Sequence, residues 1–191
     1  MSDLSAGRLV VISGPSGVGK TTVVGQLFAR CPRLVASVSA TTRPPRPGEM
    51  DGRDYYFLSS EEFARRRAAG DFLECCEVFG RGYWYGTLRS EVTPRLAAGK
   101  WVVLEIDVQG TLAVLEQYPD ALTIFLRPDS PQELERRLRG RNTESEEAVC
   151  RRLEVARREM SLADRYKHQV VNRSVEEAVS EICEILKAEG M

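Results

Sequence analysis

Leu9-Val10-Val11-Ile12-Ser13-Gly14-Pro15-Ser16-Gly17-Val18-Gly19-Lys20-Thr21-Thr22 decides how the rest of this chain is read. The four apolar residues at its start form a short continuous run, the pattern of a strand buried on both faces of a parallel sheet. Gly14 to Thr21 then match G-x-x-x-x-G-K-[ST], and Val23, Val24, Leu27 and Phe28 follow at helical spacing up to Cys31-Pro32, where the helix has to stop. Strand, glycine-rich turn and helix in that order form a phosphate cradle. The glycines let backbone N–H groups turn inward on an anion, and the helix adds the partial positive charge of its N-terminus. Gly14, Pro15, Ser16, Gly17, Val18, Gly19, Lys20, Thr21 and Thr22 are therefore the candidate triphosphate-binding residues. Lys20 is placed to bridge the β- and γ-phosphates and the Thr21 hydroxyl to hold Mg²⁺. The cradle alone does not name an acceptor, because switches, motors, transporters and kinases share it.

Working outward, further buried-strand candidates are residues 34–38, 101–106, 122–126 and 168–171, with helical stretches between them. This alternation predicts an α/β doubly wound parallel sheet of the P-loop NTPase kind. Ser59, Ser130, Thr143 and Ser174 are each followed three residues later by Glu, which predicts capped helix starts. Gly70, Gly99 and Gly140 stand where helices should end. The run from Trp101 finishes in Glu105-Ile106-Asp107, and a carboxylate at the end of such a strand can orient the metal or its waters. Asp107, nearest the C-terminal end, is the first choice.

Residues 38–95 break the alternation with Pro44, Pro45, Pro47, several glycines and most of the tyrosines. They read as an insertion of short strands, turns and two helices. Within it, Arg43 and Arg46 flank two prolines, which hold two guanidinium forks at low entropic cost and suit a doubly charged terminal phosphate. Residues 138–152 are dense in arginine and read as a helical lid. The chain is thus expected to be one domain of 191 residues, with core segments 8–37, 96–137 and 153–191, an insertion over about 38–95 and a lid over about 138–152.

Composition excludes several classes. Lys plus Arg number 27 and Asp plus Glu 28, so no overall charge draws the chain to nucleic acid or an anionic membrane. No apolar run approaches a membrane span, and residues 1–7 lack the apolar stretch of a secretory signal. The five cysteines have no C-x-x-C spacing, and the one histidine, His168, cannot complete a zinc site with them. Free thiols in a reducing, cytoplasmic compartment are the expectation. His168 reads as a strand residue, since phosphoryl transfer needs positioning and charge rather than a histidine base.

The motifs I-S-G-P-S-G-V-G-K, S-V-S-A-T-T-R-P-P-R-P-G-E, D-Y-Y-F, F-L-E, Y-G-T, E-I-D-V-Q-G and R-L-R-G-R-N-T-E-S-E-E together resemble the guanylate kinase family, from Val10 to about Ile185. The resemblance implies an ATP:GMP phosphotransferase with a P-loop core, a GMP-binding insertion and a lid. Its substrates would be ATP and GMP, with dGMP left open, and its metal Mg²⁺. Neither nucleic acid nor membrane would be a partner, and monomer and homo-oligomer both stay open. Carried over residue by residue, Arg43, Arg46, Tyr55 and Tyr85 match ligands of the GMP phosphate. Ser39, Glu74 and Thr87 match the guanine contacts. Arg137, Arg141 and Arg152 match the lid arginines, and Asn172 matches an adenine contact. The chemistry agrees: guanine presents N1–H and N2–H₂ side by side to a carboxylate such as Glu74, while hydroxyls at Ser39 and Thr87 can donate to O6. Arg65, Arg66, Arg67, Arg136, Arg139 and Arg151 read instead as a solvated charged face. The chain departs from the family pattern in a slightly longer turn around Arg81 to Trp84, and in Arg173, which stands where the family usually has an acidic residue. Two other readings remain: a non-catalytic guanylate-kinase-like phosphopeptide-binding module, and a related kinase with another phosphorylated acceptor.

Overall fold

The computed structural model describes residues 7–77, 82–139 and 146–191. Two compact units are formed. One comprises residues 1–9, 35–104 and 109–121, and the other residues 10–34, 105–108 and 122–191. The first is larger than the insertion expected over 38–95.

The second unit is built on the apolar runs. Strand β1 (Arg8–Ser13) pairs in parallel with β8 (Leu122–Pro128), Val10 facing Leu122 and Ile12 facing Ile124. Strand β8 pairs in parallel with β9 (His168–Asn172). Val10, Ile12, Leu122, Ile124, Leu126 and Val170 are wholly buried, each worth ~1.5–3 kcal/mol against exposure. Helices α1 (Lys20–Arg30), α5 (Pro131–Arg139), α6 (Glu146–Met160) and α7 (Val175–Ala188) follow these strands. In α7, Val179, Ile182 and Leu186 recur at helical spacing and are fully buried. The sheet order is β2-β7-β1-β8-β9, where β2 is Leu34–Ala36 and β7 is Trp101–Glu105. Chain order reverses at β1, the switch point where such sheets place ligands beyond the strands' C-terminal ends.

The first unit carries a smaller sheet, ordered β4-β3-β6-β5, made of β3 (Ser39–Thr41), β4 (Tyr56–Phe57), β5 (Phe72–Glu77) and β6 (Trp84–Leu88). Strand β6 runs antiparallel to both β3 and β5. Helices α2 (Ser60–Ala68) and α3 (Arg89–Ala97) are the two expected helices. A third, α4 (Val108–Gln117), follows β7. Ala40, Phe63, Phe72 and Leu88 make this unit's small core, with Phe63 stacked on Phe72 at 4.4 Å between ring centroids.

The helix signals hold at the described positions. Ser59, Ser130 and Ser174 accept hydrogen bonds from the N–H groups of Glu62, Glu133 and Glu177. Gly70 and Gly99 adopt positive φ. Thr143, Gly140, Arg81 and Arg141 lie outside the described residues. Two expectations need adjusting. The second strand, Leu34–Ala36, is shorter than residues 34–38: the Ser37 N–H still reaches the Val103 carbonyl at 3.0 Å, but the Val38 N–H is taken by the Glu91 carboxylate at 3.2 Å. Residues 146–152 of the expected lid belong to a 15-residue helix that continues to Met160.

Gly14 ends β1 at φ 145°, and a Cβ there would lie 2.3 Å from the Leu126 carbonyl oxygen on β8. Backbone meeting backbone cannot relax by a rotamer change. Gly14→Ala is expected to lower unfolding free energy by about 3 kcal/mol in urea titration, whereas Gly25→Ala, with open space around it, should be neutral or slightly stabilising.

Candidate active site

The phosphate cradle lies wholly within the second unit. Helix α1 begins at Gly19, which sits in the left-handed region at φ 98°, with no side-chain cap and no acidic residue in its first turn. Compared with α2 and α7, whose first turns are closed by serine, its leading N–H groups are left to an anion. Lys20 Nζ folds back on the loop, donating to the Gly14 carbonyl at 2.6 Å and the Pro15 carbonyl at 3.3 Å.

Four side chains hold the loop from behind. Arg137 Nη1 and Asn172 Nδ2 both donate to the Val18 carbonyl, at 3.1 and 2.7 Å. Arg152 Nη2 donates to Ser16 Oγ at 2.9 Å. Glu159, from the last turn of α6, accepts the Ser16 backbone N–H. Two of the expected lid arginines therefore reach the loop, Arg137 from α5 and Arg152 from α6. Arg137 is also paired with Glu133 at 2.8 Å. Asn172 is 2% exposed and props the loop, with its Oδ1 buried and unpartnered. Arg173 turns to Asp129 at 3.1 Å.

At the end of β7 the structure adds a second carboxylate to the one read from the sequence. Thr21 Oγ1 donates to Glu105 Oε1 at 2.6 Å, so the residue tied to the loop hydroxyl is Glu105, which ends β7, rather than Asp107. The motif had drawn attention to Asp107 because it comes last, but β7 stops two residues earlier. Asp107 still acts on the site through its charge. Burial lowers the Lys20 pKa, and Glu159, Glu105 and Asp107 each work against that loss.

Glu159 was missed by sequence reasoning, since a glutamate in a helix rich in Glu and Arg carries no signal of its own. Its Oε2 is shut off from solvent without a hydrogen-bond partner. Burial, helped by the charge of Asp107, pushes its carboxyl up to about 7, against the pull of Lys20 and the Ser16 N–H.

The second cluster lies wholly within the first unit. Ser39 and Thr87 face each other across β3 and β6, and Thr87 faces Glu74 across β6 and β5. The three expected guanine readers therefore stand on adjacent strands. Glu74 is 7% exposed and Thr87 fully buried. Thr87 Oγ1 donates its only hydrogen to Glu74 Oε1 at 2.7 Å. That bond holds the Glu74 carboxylate in place and uses the Thr87 hydroxyl hydrogen.

Arg43, Tyr55 and Tyr85 also converge. Arg43 is 8% exposed; its Nε donates to Tyr85 Oη at 3.1 Å and its Nη2 to Glu49 Oε1 at 2.9 Å. Its guanidinium lies 5.5 Å from the Tyr55 ring centroid, and the Tyr55 and Tyr85 rings meet edge-on at 5.9 Å. The second Glu49 oxygen accepts the Arg46 backbone N–H at 2.7 Å. Glu49, quoted in the motif but given no role there, thus gathers Arg43 and Arg46 around one carboxylate. The Arg43 hydrogen bond holds Glu49 below the usual carboxylate range. Arg46 itself is exposed.

Residues read as bland mostly are. Arg65 and Arg66 pair with Glu62 on the surface, Arg136 with Glu133, and Arg139 with Glu135 and Glu146. Arg67 differs, lying 4.5 Å over the Trp84 ring. Trp84 itself packs on the Phe63 cluster and does not project from the turn. His168 meets Glu189 at 3.2 Å on β9. Cys75 packs on the small core beside Glu74.

A family model described as Guanylate kinase matches residues 6–189. The chain belongs to the guanylate kinase family. It is 59% identical to the guanylate kinase of Rhodopirellula baltica over 182 residues, covering 94% of this chain and 87% of that one. It is 53% identical to the guanylate kinase of Gloeobacter violaceus over 180 residues, 94% of this chain and 86% of that one. Among solved structures, the crystal structure of guanylate kinase from Anaplasma phagocytophilum superposes with a TM-score of 0.80 at 35% identity, covering 98% of this chain and 88% of that one. The α/β P-loop fold and the family membership read from the motifs are both borne out.

Glu159 gives a test with a definite sign. Its folded pKa of about 7 stands above the ordinary 4.5, so the folded chain binds the extra proton between those values and stability falls as pH rises through them. Glu159→Gln should be more stable than the parent by about 3 kcal/mol near pH 8, each pK unit being worth ~1.4 kcal/mol. The difference should vanish by about pH 4.5. Urea titrations across that range check it, and a gain that does not change with pH would contradict it.

Proposed function

We propose that the chain transfers the γ-phosphate of ATP to GMP, giving ADP and GDP, with ATP on the phosphate loop and GMP on the small antiparallel sheet. The observation that carries this reading is the placement of Ser39, Glu74 and Thr87 on adjacent strands of the sheet that also carries the Arg43–Tyr85 pair. A buried carboxylate at Glu74 matches the paired N1–H and N2–H₂ donors of guanine. Adenine would set an acceptor against it and leave it unpaired, which is how polar sites reject a wrong base by large factors.

In this reading the α1 N-terminus and loop N–H groups hold the triphosphate, and Lys20 leaves the Gly14 and Pro15 carbonyls to bridge its outer phosphates. Arg43, Arg46, Tyr55 and Tyr85 receive the GMP phosphate, which displaces the Glu49 carboxylate from the Arg43 guanidinium. Arg137 and Arg152, with Arg141, neutralise charge on the transferring group. Thr21 and Glu105, with Asp107 nearby, would supply the hard oxygens Mg²⁺ prefers. When bound, Mg²⁺ neutralises phosphate charge. Among the described residues no cluster of three or more His, Cys, Asp or Glu could hold a metal by itself, which suits an ion that arrives with the nucleotide. Free thiols and a net charge of -1 support a cytoplasmic enzyme acting on small nucleotides, and among the described residues no helix is long and apolar enough to cross a membrane.

Lys20→Met should lower kcat by about 10²–10³, as loss of a transition-state cation does, while the far-UV circular dichroism stays that of the parent. Turnover near the parent's rate would overturn the role given to Lys20. Glu74→Gln should lower kcat/KM for GMP by about 10² or more and leave KM for ATP within about threefold. A competition assay with GMP, dGMP, AMP, UMP and CMP tests the acceptor directly. No GDP formed from GMP and Mg·ATP would sink the proposal in favour of a non-catalytic module.

A further inference from the structure

Cys31 is the C-terminal cap of α1, and Cys183 lies mid-way along α7. Their Sγ atoms are 3.2 Å apart, inside the contact distance of two unbonded sulfurs. A disulfide requires ~2.05 Å, so each sulfur has to move only about 0.6 Å to reach it. The helices are pinned on both sides of the pair. Arg30 Nη1 donates to Ser180 Oγ at 2.9 Å, and Arg33 Nη1 to the Met191 carbonyl at 2.7 Å. The two thiols therefore face one another across a fixed contact. Cys75, Cys76 and Cys150 have no such partner role in the mechanism or the packing of α1.

We propose that Cys31 and Cys183 form a redox modification site: a reversible disulfide, made on exposure to a peroxide, that staples the helix leaving the phosphate loop to the C-terminal helix. Cys183 is half-buried and Cys31 only 6% exposed, so the peroxide meets Cys183 first. Its thiolate attacks one peroxide oxygen, the O–O bond breaks, and a sulfenic acid forms. The departing hydroxide takes up the thiol proton as water. Cys31 Sγ then attacks the Cys183 sulfur, the S–O bond breaks, and a second water leaves with the Cys31 proton. Two thiols and one hydrogen peroxide give one disulfide and two waters, the sulfurs being oxidised and the peroxide reduced.

Burial pushes the Cys31 thiol up to about 11, with Arg30 and Lys187 pulling the other way, so Cys31 is the poorer first nucleophile and its later attack depends on the fixed 3.2 Å contact with Cys183. The two cysteines are 152 positions apart, and a cross-link over so long a loop strongly restricts the unfolded chain. The eleven residues of α1 hold the sulfurs ~16 Å from Lys20 at ~1.5 Å per residue. The bond therefore stiffens the fold without entering the cradle.

The test uses the full chain, reduced and then treated with one equivalent of hydrogen peroxide before alkylation and non-reducing peptide mapping. The expected result is a Cys31–Cys183 cross-linked peptide that dithiothreitol dissolves. Tm should rise by about 5 °C, with kcat within about twofold of the reduced protein. Cys183→Ser should show neither cross-link nor rise. Cys31 recovered alkylated while Cys183 carries a sulfinic acid, or dimers linked through the exposed Cys150, would overturn the proposal. So would a cross-link that leaves Tm unchanged. The mapping on the unaltered protein stands even if a cysteine variant fails to fold.

Discussion

A loop that binds phosphate through its own N–H groups has to keep those groups turned inward before any phosphate arrives. Left alone, such a loop would turn them to water or to each other. In this chain the restraint acts on the loop's outward-facing atoms. The Val18 carbonyl takes hydrogen bonds from Arg137 and Asn172, the Ser16 hydroxyl takes one from Arg152, and the Ser16 N–H is given to Glu159. These side chains come from α5, β9 and α6, so most of the second unit converges on eight residues of backbone. Gly14 and Gly19 supply the dihedral angles that no side chain could adopt there, and they let β8 and Asn172 approach closely.

Such an arrangement costs stability. Lys20 is drawn into a poorly solvated position, Glu159 faces it with one oxygen unbonded, and the first turn of α1 goes without a cap. Each feature costs free energy in the empty protein and favours a polyanion. The opposing charges around Lys20 keep the site near neutrality until a nucleotide brings its own. The small antiparallel sheet uses the same device. Glu49 takes the Arg43 guanidinium on one oxygen and the Arg46 backbone N–H on the other, and Thr87 holds Glu74 in place. Both clusters are ordered beforehand by internal groups, so binding need not order them again.

The Cys31–Cys183 pair lies at the far end of α1 from the phosphate loop and depends on a different contact, the packing of α1 on α7. The eleven residues of α1 separate that contact from the loop by ~16 Å.

The sequence by itself determined the phosphate loop, the order of strands and helices, the serine-capped helix starts and the family. These follow from local rules: dihedral freedom at glycine, the period of apolar residues, and short-range hydrogen bonds within one turn. Ser39, Glu74 and Thr87 were reached differently, through the motifs that resemble the family, S-V-S-A-T-T-R, F-L-E and Y-G-T, and not through spacing. Only the tertiary structure decided which carboxylate meets Thr21, that Thr87 serves Glu74, that Asn172 props the loop, and that Glu49 and Glu159 belong to the sites. Each of those depends on where a strand stops or which atoms lie across a contact between distant segments. Hydrogen-bond partners separated by scores of residues leave no periodic trace along the chain, and a single Glu or Asn looks the same whether it faces water or a backbone amide.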